Sequence, residues 1–469
     1  MLFPTFAFGI FFLGLFAVAW AIRGHNDWRK IVILVLSWVF YGAWDWRFVA
    51  LLIVSALINW GAARGLAALP AGTKRRRAVL IAGVTANLCI LGFFKYYDFF
   101  LNQVGALLAV MHWQRDLPLL SIILPVGISF FTFQGMSYLI DVWRGKVQPA
   151  RLLDVTLLMS FFAHLVAGPI VRASDLIPQF QRPAAISREM AATGLLLIVW
   201  GLFKKAVIAS ELATGLVDPV FFDPTAHGQW DLIAAAYGYA VQIYCDFSAY
   251  SDMAIGLAAL LGYRFPQNFN QPYRASSLQD FWRRWHISLS SWLRDYLYIP
   301  LGGNRTGLLP PYGNLMLTML LGGLWHGANV TFLIWGALHG GVLALERLWL
   351  ELKPKFLPAL PKIIGIAIIF HVVLLGWIFF RSQSFDEAIQ FLSGMTHAAP
   401  IELTVTPFFV ALIVVGLAMH GLPEKALDWV AARVARMNFL VAGAGLAAAM
   451  VVVEALRPQG IAPFIYYQF

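Results

Sequence analysis

The sequence predicts an all-α, polytopic integral membrane protein, and composition, run length and charge placement each point there. Of the 469 residues 60% are hydrophobic and 12% charged, with a mean hydropathy of +0.72, which excludes a soluble globular chain. Apolar runs recur along the whole chain, and at ~20 residues per spanning helix they make about eleven to thirteen candidates, several broken by Gly or Pro. Lys and Arg outnumber Asp and Glu by 34 to 24 and gather between those runs, the pattern of an orientation signal rather than of nucleic-acid binding. The lipid bilayer is therefore the first partner expected, and one membrane domain over residues 1–469 is the simplest partition. Cys89 lies in an apolar run and Cys245 beside Asp246, so the cysteines form neither a disulfide framework nor a zinc spacing.

Residues 3–22 are apolar and lack the basic leader of a signal peptide. Arg23, Arg29 and Lys30 follow them, so this run is expected to stay as a first span with the N-terminus outside. Runs over 31–44 and 48–61 come next, joined by the aromatic turn YGAWDWR. Arg64 and Lys74 to Arg77 then make a basic loop without an acid, the clearest cytoplasmic mark in the chain. Runs over 79–94 and 122–142 flank an amphipathic piece suited to the outer interface. The stretch FFAHLVAGPIVRASDLIPQFQRP is broken by Gly168, Pro169, Pro178 and Pro183 and embeds His164, Arg172 and Asp175. It reads as a re-entrant element lining a cavity, or as an ordinary loop.

Residues 194–209 form a further span, taken to end in Lys204 and Lys205, and 232–261 is long enough to cross with tilt. Asp246, Ser248 and Asp252 in the latter, with Asn329 further on, are read as structural or tunnel-lining polar groups, since carboxylates do not face lipid. Spans over 362–380, 407–422 and 439–453 complete the chain, and an outward start and end require an even number of crossings, with twelve the best count.

Two histidines invite a functional reading. His326 lies in LLGGLWHGANVTFLIWGALHG, where an ionisable group costs about 2.5 kcal/mol or more when charged and so turns inward, pairs, or lines a wet cavity. Gly322, Gly323 and Gly327 remove side-chain bulk around it, so a substrate or another helix can approach the ring. His286 lies in DFWRRWHISLSSWLRDYLYIPLGG, whose arginines and tryptophans suit a membrane-surface helix with His286, Leu289, Ser290 and Leu293 on one face. A histidine that only packs helices and bonds a carbonyl is the alternative at His326. Two histidines, each at the start of a helix, are what a two-histidine site would look like.

The motifs FFKYYDFF, LPVGISFFTFQGMSYLIDVWRG, AGPIVR, DFSAYSDMAIGLA, FWRRWHISLSSWLRDYLYIPLGGNR and GGLWHGANVTFLIWGALHG together span nearly the whole chain. In them the sequence resembles the membrane-bound O-acyltransferases, in the bacterial branch that includes alginate O-acetylases and the D-alanyl transferases of teichoic acid modification. The resemblance implies a ring of about 11–12 tilted transmembrane helices, with re-entrant or interfacial helices, around a tunnel open to both sides. It places the essential histidine of the WHG motif on His326 and the upstream histidine of RRWH on His286, within the segment 263–345.

The chemistry suits that assignment. Acyl transfer from a thioester to a hydroxyl needs a base, for which a neutral imidazole serves, and His326 is expected to be it. His286 would orient the carbonyl or hydrogen-bond the developing oxyanion. Arg283, Arg284, Arg294 and Arg305 would draw an anionic donor such as acetyl-coenzyme A, although cytoplasmic anchoring explains them equally well. No metal or bound cofactor is expected. The tail RPQGIAPFIYYQF (457–469) is too aromatic to be solvated and is expected to fold back into the tunnel. It resembles a terminal motif whose first tyrosine accepts the acyl group, here Tyr466, the alternative being that Phe464, Tyr466, Tyr467 and Phe469 form only an aromatic anchor or docking surface. Further partners implied are a periplasmic or membrane-anchored SGNH-hydrolase-like acetyltransferase and polysaccharide export proteins, in a bacterial inner membrane with both termini periplasmic. A transporter or flippase, and a purely structural subunit of an export complex, are the competing readings. Alginate, cellulose, another exopolysaccharide and peptidoglycan are all possible acceptors.

Overall fold

The computed structural model describes residues 3–113, 115–305, 311–352, 354, 360–397, 403–458 and 462–465. Every regular element among them is helical, and the chain forms two compact units, Met1–Ile186 with Leu261–Phe265, and Ser187–Leu260 with Pro266–Phe469.

In the first unit the helix Phe6–Ala21 starts at Thr5, whose hydroxyl accepts from the Phe8 amide at 3.3 Å. Phe8 and Phe12 pack against Phe40 and Phe162. Trp46 separates Asn26–Asp45 from Arg47–Ala68, as the aromatic turn predicts. Asn59 and Asn87, both buried, bond reciprocally at 3.0 and 3.1 Å, joining Arg47–Ala68 to Lys74–Leu91 by paired amides. The broken stretch after Leu152 is a set of short helices, Leu152–Ser160, Phe162–Leu165 and Ala173–Phe180, rather than an open loop. His164 is buried there and bonds the Leu158 carbonyl at 2.9 Å.

Arg29 and Lys30, expected to mark the cytoplasmic end of the first span, are instead fully buried. The Arg29 guanidinium donates to the Tyr263 hydroxyl at 2.8 Å and to the carbonyls of Ala19 and Leu261, while Lys30 pairs with Asp154 at 2.7 Å and with Asp27 at 2.9 Å. Lys30 is thus neutralised by Asp27 one turn back and by Asp154 far along the chain, whereas Arg29 is satisfied by a hydroxyl and carbonyls, so both cations are held inside the first unit.

Among the described residues five helices are long and apolar enough to cross a membrane, or six if Pro407–Gly421 and Ala426–Arg436, bent by 83°, make one span. Twelve crossings were expected. Two helices account for part of the difference: Gln229–Leu260 has 32 residues but carries Asp231, Asp246 and Asp252, and Phe6–Ala21 is apolar but only 16 residues long.

In the second unit Arg188–Leu202 lies close against Gln229–Leu260, where a Cβ on Gly256 would strike the Gly194 carbonyl. The span containing Lys204 and Lys205 does not end there. It continues to Phe222, and both lysines are buried inside it.

Candidate active site

The Pro311–His326 helix ends on its histidine, and after a short turn Val330–Leu352 folds back along it. The glycines are spent on this hairpin: a Cβ at Gly323 would strike the Phe332 carbonyl, and one at Gly336 the Met319 carbonyl. Gly322 backs on to Leu293 and Gly327 on to the Phe332 ring. It is therefore the protein, not open space, that approaches at these positions. Asn329 caps the returning helix, accepting from the Thr331 amide at 3.1 Å and donating to the Gln383 carbonyl at 2.7 Å. His326 is 7% exposed and stands edge-on to Trp325, Trp335 and Phe380, with ring centroids 5.0, 5.1 and 5.1 Å away.

The arginine-rich stretch is not one surface helix. It is two short helices, Leu278–Arg284 and Ile287–Leu293, and Trp282, Trp285 and Trp292 are buried. His286 occupies the break with φ 42°, in the left-handed region that an L-residue enters only when its surroundings hold it there. Its Nδ1 accepts from the Leu289 amide at 3.4 Å, so the neutral ring carries its proton on Nε2. Burial pushes the imidazolium pKa down to about 3, which keeps the ring neutral at physiological pH. Only His286 begins a helix as expected. His326 ends one.

Asn268, unnoticed in the sequence, holds this break. Its carbonyl accepts from the Ile287 amide at 2.8 Å, and its Oδ1 accepts from the Ser288 amide at 3.1 Å and the Ser288 hydroxyl at 2.8 Å. Its Nδ2 donates to the Ser251 hydroxyl at 3.0 Å, tying the loop to Gln229–Leu260. The only hint in the sequence is the polar, Pro-containing run QNFNQPYR, which cannot continue a helix. Asn268→Ala is expected to lower turnover about tenfold or more, because at least two buried hydrogen bonds worth ~1 kcal/mol each are lost and His286 is freed to leave its strained conformation. The donor KM should stay nearly constant. Initial-rate kinetics in reconstituted membranes decide it, and an unchanged turnover number would refute the positioning role.

Trp325 contacts both histidines, 6.0 Å from the His286 centroid and 5.0 Å from that of His326, so one aromatic cluster contains them. A third histidine, His339, was not singled out in the sequence. It is fully buried against Trp335 and Trp282 at 4.7 and 5.4 Å, with neither ring nitrogen partnered among the described residues.

A cavity of about 740 Å³ adjoins this cluster. Trp282 forms part of its wall and packs on Trp335 at 5.7 Å, and Trp335 in turn packs on His326. Arg283 and Arg294 line the cavity, joined by Arg347, which the sequence did not single out. Arg284 is engaged elsewhere, with Asp280 at 3.0 Å and Glu424 at 3.5 Å, and Arg305 is exposed and not part of the lining. Asp252 and Ser248 both bond Lys204 at 2.7 Å, and Asp246 pairs with Lys205 at 2.8 Å, so these polar groups join helices. Among the described residues no group of three or more His, Cys, Asp or Glu side chains could hold a metal ion. Tyr466 lies outside the described residues.

Long apolar helices and two buried histidines sharing an aromatic cluster define a multi-pass membrane protein with an internal histidine site. The membrane-bound O-acyltransferase family matches residues 98–385. A probable alginate O-acetylase of Pseudomonas aeruginosa is 41% identical over 84% of this chain and 75% of its own. Another, from Pseudomonas putida, is 37% identical over the full length of both chains. A peptidoglycan O-acetyltransferase of Helicobacter pylori is 40% identical over 70% of this chain and 66% of its own. The chain belongs to the membrane-bound O-acyltransferase family and is an acyltransferase.

Proposed function

We propose that this enzyme takes acetyl groups from a cytoplasmic thioester, acetyl-coenzyme A, and passes them across the inner membrane for O-acetylation of an exported polysaccharide of the alginate type. The observation that carries the reading is the pair of buried histidines in one aromatic cluster, a tryptophan wall away from an arginine-lined cavity. In the proposed step His326 removes the proton of the accepting hydroxyl as its oxygen attacks the thioester carbonyl. The Nε2–H of His286 donates to the developing oxyanion, and the departing thiolate recovers the proton from His326. Peptidoglycan is the second candidate acceptor, favoured by the similarity to the Helicobacter pylori enzyme.

Arg283 and Arg294 would hold the phosphates of the donor, each charged contact being worth roughly 1.5–3 kcal/mol. Arg283→Gln and Arg294→Gln are each expected to raise the donor KM about tenfold or more, whereas Arg305→Gln leaves it unchanged. Equal effects of all three on KM would remove the cavity from the donor's path.

A periplasmic or membrane-anchored SGNH-type partner completes the transfer in this reading, with both termini of the chain on the periplasmic side. Tyr466 is the first carrier, because an aryl ester is reactive enough to hand acetyl on to a serine. Purified chain incubated with labelled acetyl-coenzyme A should acquire label. Tyr466→Phe, which keeps the ring and removes the hydroxyl, should lose it, and Tyr467→Phe should not. Full polymer acetylation by the Tyr466→Phe/Tyr467→Phe variant would eliminate the tyrosine relay.

A further inference from the structure

We propose that the buried Lys205–Asp246 pair is the receptor for the chain's own C-terminal segment, holding residues 462–465 as part of the packing behind His286. The two side chains are 1% and 2% exposed, with Nζ 2.8 Å from the carboxylate. Lys205 lies in the π-helical turn Phe203–Ala209, a local widening of the kind that gathers at functional sites. Its neighbour Lys204 already satisfies Ser248 and Asp252. A buried ion pair on its own is a weak source of stability, since desolvating both charges offsets their attraction unless the remaining donors and acceptors are also used. An ammonium offers three donors and a carboxylate about four acceptor sites, so the pair has capacity to spare.

The tail uses that capacity. Lys205 Nζ donates to the Pro463 carbonyl at 3.2 Å, and the Ile465 amide donates to Asp246 Oδ2 at 3.0 Å. The Ala462 amide donates to the Ser210 hydroxyl at 3.3 Å, just beyond the same π turn. Between these backbone contacts Phe464 is inserted against Tyr250 and Phe247, at 4.3 and 5.2 Å, and Phe247 is the next ring to His286 at 6.4 Å. Phe464 and Ile465 are each 1% exposed. The ion pair thus reads main-chain groups while an aromatic slot takes the side chain, and the seat ends beside a histidine of the acyl-transfer site. The inference concerns where the tail is held. It does not depend on which residue carries the acyl group.

The test places a single cysteine in the tail, Ala462→Cys with Cys89→Ser and Cys245→Ala, in full-length protein in lipid nanodiscs, and measures its reaction with a bulky maleimide. With the native pair, labelling should be slow. In the exchanged pair Lys205→Asp/Asp246→Lys the attraction survives, but an ammonium now faces the Ile465 amide and a carboxylate faces the Pro463 carbonyl. In the apolar pair Lys205→Met/Asp246→Leu the helices can still pack, but the tail loses its partners. Each is expected to speed labelling about tenfold or more, because the segment then opens without its two backbone hydrogen bonds to the pair. Phe464→Ala, which keeps the ion pair and empties the aromatic slot, should do the same. Labelling that stays slow in the exchanged or the apolar pair would show that the ions only join helices and would overturn the proposal. If the exchanged pair does not accumulate, the apolar pair and Phe464→Ala still decide. The readout is independent of acetylation, so a failed donor assignment cannot imitate a failed docking.

Discussion

Replacing His326 by alanine is expected to abolish polymer acetylation while the protein accumulates normally. General base catalysis by a positioned imidazole contributes roughly 10²–10⁴-fold, and the proposed step assigns that role to His326. The loss of packing is modest by comparison, because His326 ends its helix and its neighbours Trp325, Trp335 and Phe380 also pack on other rings. The measurement pairs membrane-protein level with acetyl content of the polymer. Undiminished acetylation at native protein level would refute catalysis by His326 and favour a structural or transport subunit. The pH profile of the native enzyme carries the same information. An imidazole base works deprotonated, so the rate should rise about tenfold per pH unit below its apparent pKa and level off above it. Burial pushes the His286 pKa down to about 3, so that ring stays neutral across the window and does not account for the rising limb. A rate that falls over the same range would contradict the base role.

The second large effect is expected on stability, at Lys30→Met. Lys30 and Asp154 are 2% and 0% exposed in their side chains and 2.7 Å apart. Removing the ammonium leaves the buried Asp154 carboxylate without its hydrogen-bonded cation, a change that costs about 3–5 kcal/mol in comparable sites. Lys30→Met/Asp154→Leu removes both charges and should recover most of the loss, because apolar residues of similar volume replace such pairs at little cost. Thermal unfolding in detergent, tracked by the reactivity of a buried cysteine, measures it. Equal melting temperatures for the single variant and the native protein would mean that the pair contributes nothing.

Features governed by composition and local pattern were legible in the sequence before folding. Its apolar content dictates a helical membrane protein, because only helices satisfy the backbone within one segment in lipid. The helix pair around Trp46 and the stop before the C-terminal tail come from turn and helix-breaking chemistry that acts over a few residues, whereas the return at Asn329 was visible only in the fold. His326 and His286 were legible as candidates because an imidazole is out of place in such surroundings.

Which charged and polar groups meet depends on the fold. Arg29 and Lys30 look like a cytoplasmic marker until Tyr263 and Asp154 reach them, and Lys204 and Lys205 look like the end of a span until Asp252 and Asp246 do. Four arginines are equivalent on paper, yet Arg283 and Arg294 line the cavity while Arg284 turns to Asp280 and Glu424. Asn268 is an ordinary loop residue until folding brings Ser251 and Ser288 to its two ends. The physical reason is common to all of these. Hydrophobic periodicity and capping act within one helix, whereas the cost of burying a charge or an amide is met by a partner far along the chain, and no local pattern specifies which partner that is.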